Sequence, residues 1–309
     1  MSATRGTLAQ RRLRGVLTLG VDIGGTKIAL GLVSPEGTIV AREQLPTRVE
    51  AGPTDALSRT LDAVKRLEAA AGAKATSAGI GCPGPLNVKA GVVESPPNLK
   101  SWWGFPLRES FATGLGIPVS VENDANAAAM GEHLFGAGKG VDDFVYLTLS
   151  TGIGSGVVSG GRLVTGARGY AVEWGHTSVD YRGPLCECGA RGCLEAMASG
   201  TAIAKAAGMS APDVVLAVRA GDAHATQVWN NAMAALACGI ANAVNAFNPS
   251  RVILGGGLTS AGHLLFDSVK ERVPALALKP ALAGFDIVPA SLGGDVGILG
   301  AAALGFSRV

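Results

Sequence analysis

The sequence predicts an α/β fold with mixed sheets in two domains, and three observations carry that expectation. First, the run from Thr18 to Gly37 reads as a strand, a Gly-rich turn, a second strand and a Pro35-Glu36-Gly37 turn into a third. Second, the same order returns from Phe144 to Gly161, where strand, Gly-rich turn and strand lead through a further turn into Arg162-Leu163-Val164. Third, the chain has 309 residues, 48% hydrophobic and 16% charged. That is enough apolar material for one large core or two smaller ones, and the length favours two.

Each half continues with apolar strand candidates, at 77–81, 118–122 and 251–254, alternating with Ala-rich helical stretches at 55–71, 125–135 and 226–246. Alternation of this kind favours sheets flanked by helices. If the halves are structural repeats, their Gly-rich hairpins can face each other across a cleft and contact one ligand from both sides. The formal net charge is +2, from 26 basic and 24 acidic residues, so no global field draws the chain to nucleic acid or to an anionic membrane. The richest apolar stretch, 232–247, is broken by Asn242 and Asn245 and falls short of a membrane span. Residues 1–14 carry Arg5, Arg11, Arg12 and Arg14 without an acid or a signal-peptide apolar core, and read as a disordered basic tail.

His176, Cys186, Cys188 and Cys193 form the most specific chemical signal, a C-x-C-x₄-C cluster ten residues after a histidine. Three soft thiolates and an imidazole fill the four positions of a structural zinc ion and leave none open for catalysis. A disulfide reading leaves one thiol over and makes C-x-C an awkward bridge. Cys82 and Cys238 stand apart in apolar or Gly-rich surroundings and are expected to be buried thiols, a pattern that fits a reducing cytosol.

The two Gly-rich turns admit two readings. Glycines there let a phosphate approach backbone N–H donors, yet hairpins often need glycine only for positive φ. Asp22, Thr26 and Lys27 beside the first turn favour phosphate chemistry: a carboxylate for hydrated Mg²⁺ or phosphate orientation, a hydroxyl and a cation. G-x-x-x-x-G-K-[ST] is absent from the sequence, and the first turn leads into a strand rather than a helix, so neither a P-loop nor a dinucleotide fingerprint is present.

Taken together, Asp22-Ile23-Gly24-Gly25-Thr26-Lys27, Glu122-Asn123-Asp124-Ala125-Asn126-Ala127-Ala128, Ser150-Thr151-Gly152-Ile153-Gly154-Ser155-Gly156, Glu173-Trp174-Gly175-His176 and Cys186-Glu187-Cys188-Gly189-Ala190-Arg191-Gly192-Cys193-Leu194-Glu195 resemble the ROK family of sugar kinases, repressors and open reading frames, in order and in spacing. The resemblance runs from about Val16 to the C-terminus and is strongest to ATP-dependent bacterial glucokinases. It implies an actin-like ATPase (ribonuclease H-like) fold, two α/β domains around a central cleft. The division expected is a tail at 1–14, a small domain at 15–122 plus about 297–309, and a large domain at 123–296 that carries the zinc loop at 176–195. The closing segment 297–305 is expected to be a helix on the first domain.

The resemblance also implies roles. Asp124 matches the catalytic base, although Asn123 or Asp124 at the start of a helix also suits an N-cap. A helix N-terminus is expected to lower the proton affinity of Asp124 and make it a weak base. Asn98, Asn123, Asp124, Glu173, His176 and Glu195 match sugar contacts, while a surface Glu195 and a capping Glu173 are the plainer alternatives. Gly24, Gly25, Thr26 and Lys27 match the first phosphate loop, Thr151 and Gly152 the second, and Gly255 and Gly256 the adenosine segment. Trp102 and Trp103 suit hydrophobic anchoring as well as a place beside sugar. The implied ligands are ATP, Mg²⁺, a hexose and structural Zn²⁺, in a cytoplasmic homodimer or homotetramer that binds neither nucleic acid nor membrane. Glucose is the first expectation, with N-acetylmannosamine, N-acetylglucosamine, mannose, fructose or allose behind it. The family's repressors carry a winged helix-turn-helix ahead of the first hairpin, which about twenty residues before Asp22 would not accommodate.

Overall fold

Strand β1 (Leu17–Ile23) is buried along nearly its whole length, as a central strand covered on both faces must be. The computed structural model describes residues 16–306, so the proposed basic tail lies outside the described residues. β1 pairs antiparallel with β2 (Lys27–Val33), which pairs antiparallel with β3 (Ile39–Pro46). On its other side β1 runs parallel to β4 (Ala75–Cys82), followed, beyond the short β5 (Leu86–Asn87) and β6 (Val92–Val93), by parallel β7 (Val119–Asn123). The sheet order is β3-β2-β1-β4-β7.

The second sheet repeats this plan. β8 (Phe144–Leu149), β9 (Ile153–Ser159) and β10 (Arg162–Leu163) form an antiparallel meander, and β11 (Arg251–Gly255) and β12 (Asp286–Pro289) add in parallel, in the order β10-β9-β8-β11-β12. The echo read in the sequence is therefore an echo of topology.

Among the described residues, the first unit comprises 16–135, Thr165–Tyr170 and 294–306. Its helix α1 (Gly52–Ala71) buries Ala56, Thr60, Ala63, Val64 and Leu67, a stripe at helical spacing, and ends on Gly72 in the left-handed conformation. α2 (Leu107–Leu115) adds Leu107 and Phe111 to a core built on Leu19, Val21, Ile28, Leu30 and Ile80. α3 (Asp124–Phe135) and the C-terminal helix Val296–Phe306 pack together. That helix lies on β1 and β4 at backbone distance. A Cβ at Gly20 would fall 2.1 Å from the Ile298 carbonyl oxygen, and one at Gly79 would fall 1.8 Å from that of Ala301. Glycine in these strands is thus required by close approach.

The boundary differs from the expected one at 122/123. Helix α3 belongs to the first unit because Gly300 meets it backbone to backbone, a Cβ there falling 2.5 Å from the Ala127 oxygen. The segment Thr165–Tyr170 also belongs there, where Lys89 Nζ donates to the Ala167 carbonyl at 2.5 Å.

The second unit comprises Gly136–Val164 and Ala171–Gly293. Its helices are α4 (Leu194–Ala198), α5 (Gly200–Ala207), α6 (Ala211–Arg219), α7 (Ala223–Phe247) and α8 (His263–Leu276). α7 begins where the Asp222 side chain accepts from Ala225 N–H and ends on Asn248 in the left-handed region. It buries Trp229, Leu236 and Ile240 against Val145, Leu147, Leu194 and Leu254. Cys82 is buried as expected, but Cys238 is only half-buried, because its position on α7 turns partly away from that core. Among the described residues, no single helix is long and apolar enough to cross a membrane.

Candidate functional site

In the first unit the turn between β1 and β2 closes through Gly24 N–H to the Lys27 carbonyl at 2.8 Å, leaving Thr26 and Lys27 exposed. Two neighbours hold it. Thr47, fully buried just after β3, donates its hydroxyl to the Gly24 carbonyl at 2.6 Å and its N–H to the Thr26 carbonyl at 3.0 Å. Arg59, ion-paired with Asp55 one helical turn away, donates to the carbonyls of Thr47 at 2.8 Å and Pro46 at 2.7 Å. Asn98 lies against Gly25, where a Cβ would come within 3.1 Å of its own Cβ. Thr47 is a positioning residue that no sequence motif announced.

Asp22 near the end of β1 and Asp124 at the start of α3 come together beside Gly81 of β4. A Cβ at Gly81 would lie 3.7 Å from both Asp22 Oδ1 and the Asp124 Cα. Burial, then the Asp124 charge, raise the Asp22 carboxyl to about 6, against an opposing pull from Lys27. A Cβ at Gly297, in the first turn of the C-terminal helix, would fall 2.1 Å from Asp22 Oδ2.

Asp124 overturns an expectation. Its side chain keeps solvent access, yet the surrounding protein raises its carboxyl above the usual range, and desolvation outweighs the N–H groups of Ala125 and of Asp124 itself. The helix N-terminus is present but loses to burial. The cap is Asn123, whose Oδ1 accepts from Ala125 N–H at 2.9 Å and Asn126 N–H at 3.3 Å, which leaves its amide N–H₂ group for other partners. Behind them Glu122 is buried and accepts from Asn126 Nδ2 at 3.0 Å, its carboxyl also raised by burial. Trp102 is fully buried against Phe105, whereas Trp103 is half exposed with its indole N–H on the Pro96 carbonyl. The first is an anchor.

In the second unit the turn between β8 and β9 closes through Ser150 N–H to the Gly152 carbonyl at 2.9 Å and leaves Thr151 exposed. Gly256, following β11, sits beside the end of β8, where a Cβ would fall 2.3 Å from the Leu149 carbonyl oxygen. Gly255 precedes it, packed on Tyr146. Gly256 thus lies beside the end of β8 that leads directly into the turn bearing Thr151 and Gly152.

His176, Cys186, Cys188 and Cys193 converge, their ligand atoms all within 4.8 Å of one another. The Cys188 and Cys193 sulfurs are 3.6 Å apart, and Cys186 Sγ is 3.7 Å from His176 Nδ1. Tetrahedral zinc with bonds of about 2.0–2.3 Å requires ligand separations of this size. Burial pushes the Cys193 thiol up to about 12, so gathering thiolates here calls for a cation. Bridges Ser178 to Cys193 and Leu185 to Arg191 shape the loop.

Glu195, two residues beyond Cys193, is half-buried, which rules out the surface reading. Its Oε2 accepts from Ile153 N–H at 2.8 Å, and its Oε1 lies 4.0 Å from His176 Nδ1. Glu173 directly precedes the 3-10 turn Trp174–His176 and makes no side-chain capping bond to it.

The ROK family model matches residues 18–307. The chain is 40% identical to a glucokinase of Thermotoga maritima, over 94% of this chain and 98% of that protein. It is 37% identical to an N-acetylmannosamine kinase of Escherichia coli O157:H7, over 93% and 97% of the two chains. Among solved structures, it resembles a ROK family glucokinase from Streptomyces griseus in complex with glucose and AMPPNP, with a TM-score of 0.76 and 35% identity across 94% of this chain and 99% of that one. With the actin-like plan in both sheets and the Cys₃His loop in place, these likenesses settle the descent of the chain, which belongs to the ROK family.

Proposed function

We propose that this chain transfers the γ-phosphoryl group of ATP to a hydroxyl of a hexose, and that the hexose is glucose. The carboxylate pair Asp22 and Asp124, set beside a braced Gly-rich turn, carries the reading. Likeness to glucokinases over nearly the whole chain supports the choice of sugar.

Asp124 is the base. Two backbone N–H groups fix its carboxylate, and its raised proton affinity equips it to accept the hydroxyl proton as the new P–O bond forms and ADP leaves. Asp22, crowded by Asp124, has the hard oxygen chemistry that suits hydrated Mg²⁺, and such an ion supplies charge neutralisation on the transferring phosphate. Gly24, Gly25, Thr26 and Lys27 offer one phosphate cradle, Thr151 and Gly152 a second, and Gly255 and Gly256 an adenosine contact. Asn98, Asn123, Glu173, His176 and Glu195 read the sugar hydroxyls, where each unmatched polar group costs affinity.

The four soft ligands suit Zn²⁺, which would fix the loop that presents His176 and Glu195 without entering the reaction. The five free cysteines agree with a reducing cytoplasm.

Coupled ADP release with Mg-ATP and a panel of hexoses tests the reading. Turnover led by glucose and lost in Asp124→Asn is the expected result. Turnover led by N-acetylmannosamine would keep the mechanism and follow the second group of relatives. Sugar binding without ADP release would overturn it.

A further inference from the structure

Under the function proposed above, the Cys₃His loop serves the sugar through His176 and Glu195. Its two flanks also grip the second Gly-rich turn. On the Cys193 flank, Glu195 Oε2 accepts from Ile153 N–H at 2.8 Å. Just beyond, Gly200 N–H donates to the Ser150 carbonyl at 2.8 Å and Thr201 N–H to the Thr151 carbonyl at 3.3 Å. On the His176 flank, Gly175 meets Ile153 so closely that a Cβ would fall 2.1 Å from its carbonyl oxygen. Trp174 N–H donates to Ser155 Oγ at 3.0 Å on the same strand. The turn is tied down at Ser150, Thr151 and Ile153, and the ties leave from both sides of the metal cluster.

His176 and Cys193 bring those flanks together, and the Cys193 sulfur contacts the His176 carbonyl oxygen at 3.3 Å. The Cys186 and Cys188 excursion between them touches none of the turn's hydrogen-bonding groups. A metal held by these four ligands would close a clamp whose jaws lie on the backbone proposed to face phosphate, and Glu195 is its most direct contact. Gly152 bears on the same contact, since a Cβ there would fall 2.4 Å from Glu195 Oε2 and would have to push that carboxylate off the Ile153 N–H.

We infer that the Cys₃His knot braces the Ser150 to Ile153 turn for nucleotide, with Glu195 as a positioning residue, so that nucleotide affinity depends on the metal even when no sugar is present. This rests on the kinase reading above. Glu195 divides its carboxylate: Oε2 holds the turn, and Oε1 remains for sugar. Sugar-side and nucleotide-side binding thereby share one side chain.

The test is calorimetric titration of the full-length protein with adenylyl imidodiphosphate and Mg²⁺, without sugar. Chelation of zinc should weaken binding about tenfold, the effect of releasing a charge-assisted hydrogen bond and its neighbours, and added Zn²⁺ should restore it. Zinc-loaded Glu195→Ala should show a similar loss. Glu195→Gln keeps an acceptor for Ile153 N–H and should bind nucleotide within about threefold of wild type while its KM for sugar rises. If chelation unfolds the protein, the Ala and Gln pair decides, with thermal melting confirming that both are folded. Undiminished nucleotide affinity in Glu195→Ala, or equal losses in Ala and Gln, would overturn the brace while leaving the kinase reading intact. Failure of zinc-loaded wild type to bind the analogue or release ADP would overturn that reading itself.

Discussion

The two units build the same turn on the same five-strand plan and secure it by different means. The first turn is held by ordinary protein groups: Thr47 on Gly24 and Thr26, with Arg59 and Asp55 behind. The second is held by the flanks of a Cys₃His loop inserted after its meander. A network of ordinary hydrogen-bonding side chains needs only the fold around it, whereas a loop closed by a metal would make the geometry of the turn conditional on an ion. One repeat has thus kept its turn autonomous, and the other has tied it to the residues proposed to read sugar.

The sharpest separation of the two units is chemical. Asp124→Asn should reduce turnover about 10²–10⁴-fold with nucleotide affinity unchanged, as expected for a proton acceptor; equilibrium binding and single-turnover kinetics check it. Disturbing the second turn should instead act on binding.

Asp22→Asn probes the cost of crowding two carboxylates in the first unit. Asp22 rises from 3.8 to about 6 on folding, so between those values the folded chain holds more protons than the unfolded one. Stability therefore falls as pH rises through that window, and ionised Asp22 is a net cost at pH 7. The variant should be more stable at pH 7 by on the order of 1–3 kcal/mol, the gain shrinking toward pH 4, and far less active. Thermal melts across pH measure it. In the wild type, kcat/KM should decline as pH falls through about 6, as Asp22 takes up its proton.

Glycine substitutions compare the turns directly. Gly152→Ala places a methyl 2.4 Å from Glu195 Oε2, whereas Gly24→Ala meets only the Lys27 oxygen at 3.1 Å. The first should raise KM for ATP about tenfold or more and the second about twofold, on the order of 1–2 kcal/mol against a few tenths. Equal effects would mean that the brace is no tighter than the hairpin. Thr47→Val, which removes one hydrogen bond to Gly24, falls between the two glycine changes and should cost about 1 kcal/mol, read as a lower thermal midpoint and a several-fold higher KM for ATP.

Much of this was legible in the sequence because glycine, cysteine and proline punctuate it at fixed offsets. The hairpins, the repeated order and the Cys₃His cluster all rest on such residues. Asp124 was legible as a position but its proton affinity was not, since a helix N-terminus is local whereas desolvation depends on everything folded around it. Thr47 escaped because it lies twenty residues from the carbonyls it holds, at the end of a strand that alternates half-buried and exposed residues. The Glu195 contact with Ile153 spans more than forty residues and leaves no local trace. β12 and α8 carry weak periodicity, with Pro274 inside the helix, and α3 joined the first unit through a backbone contact at Gly300 that composition does not encode.

The C-terminal helix on Gly20 and Gly79 has a consequence for how the chain is made. The first unit draws its sheet from the beginning of the chain and this covering helix from the end, with the second unit encoded between them. During synthesis the second unit can close on itself while β1 and β4 still lack the backbone that covers one face, and the first unit's folding waits for the helix Val296–Phe306 to leave the ribosome. The unit that begins first in sequence is completed after the one that follows it.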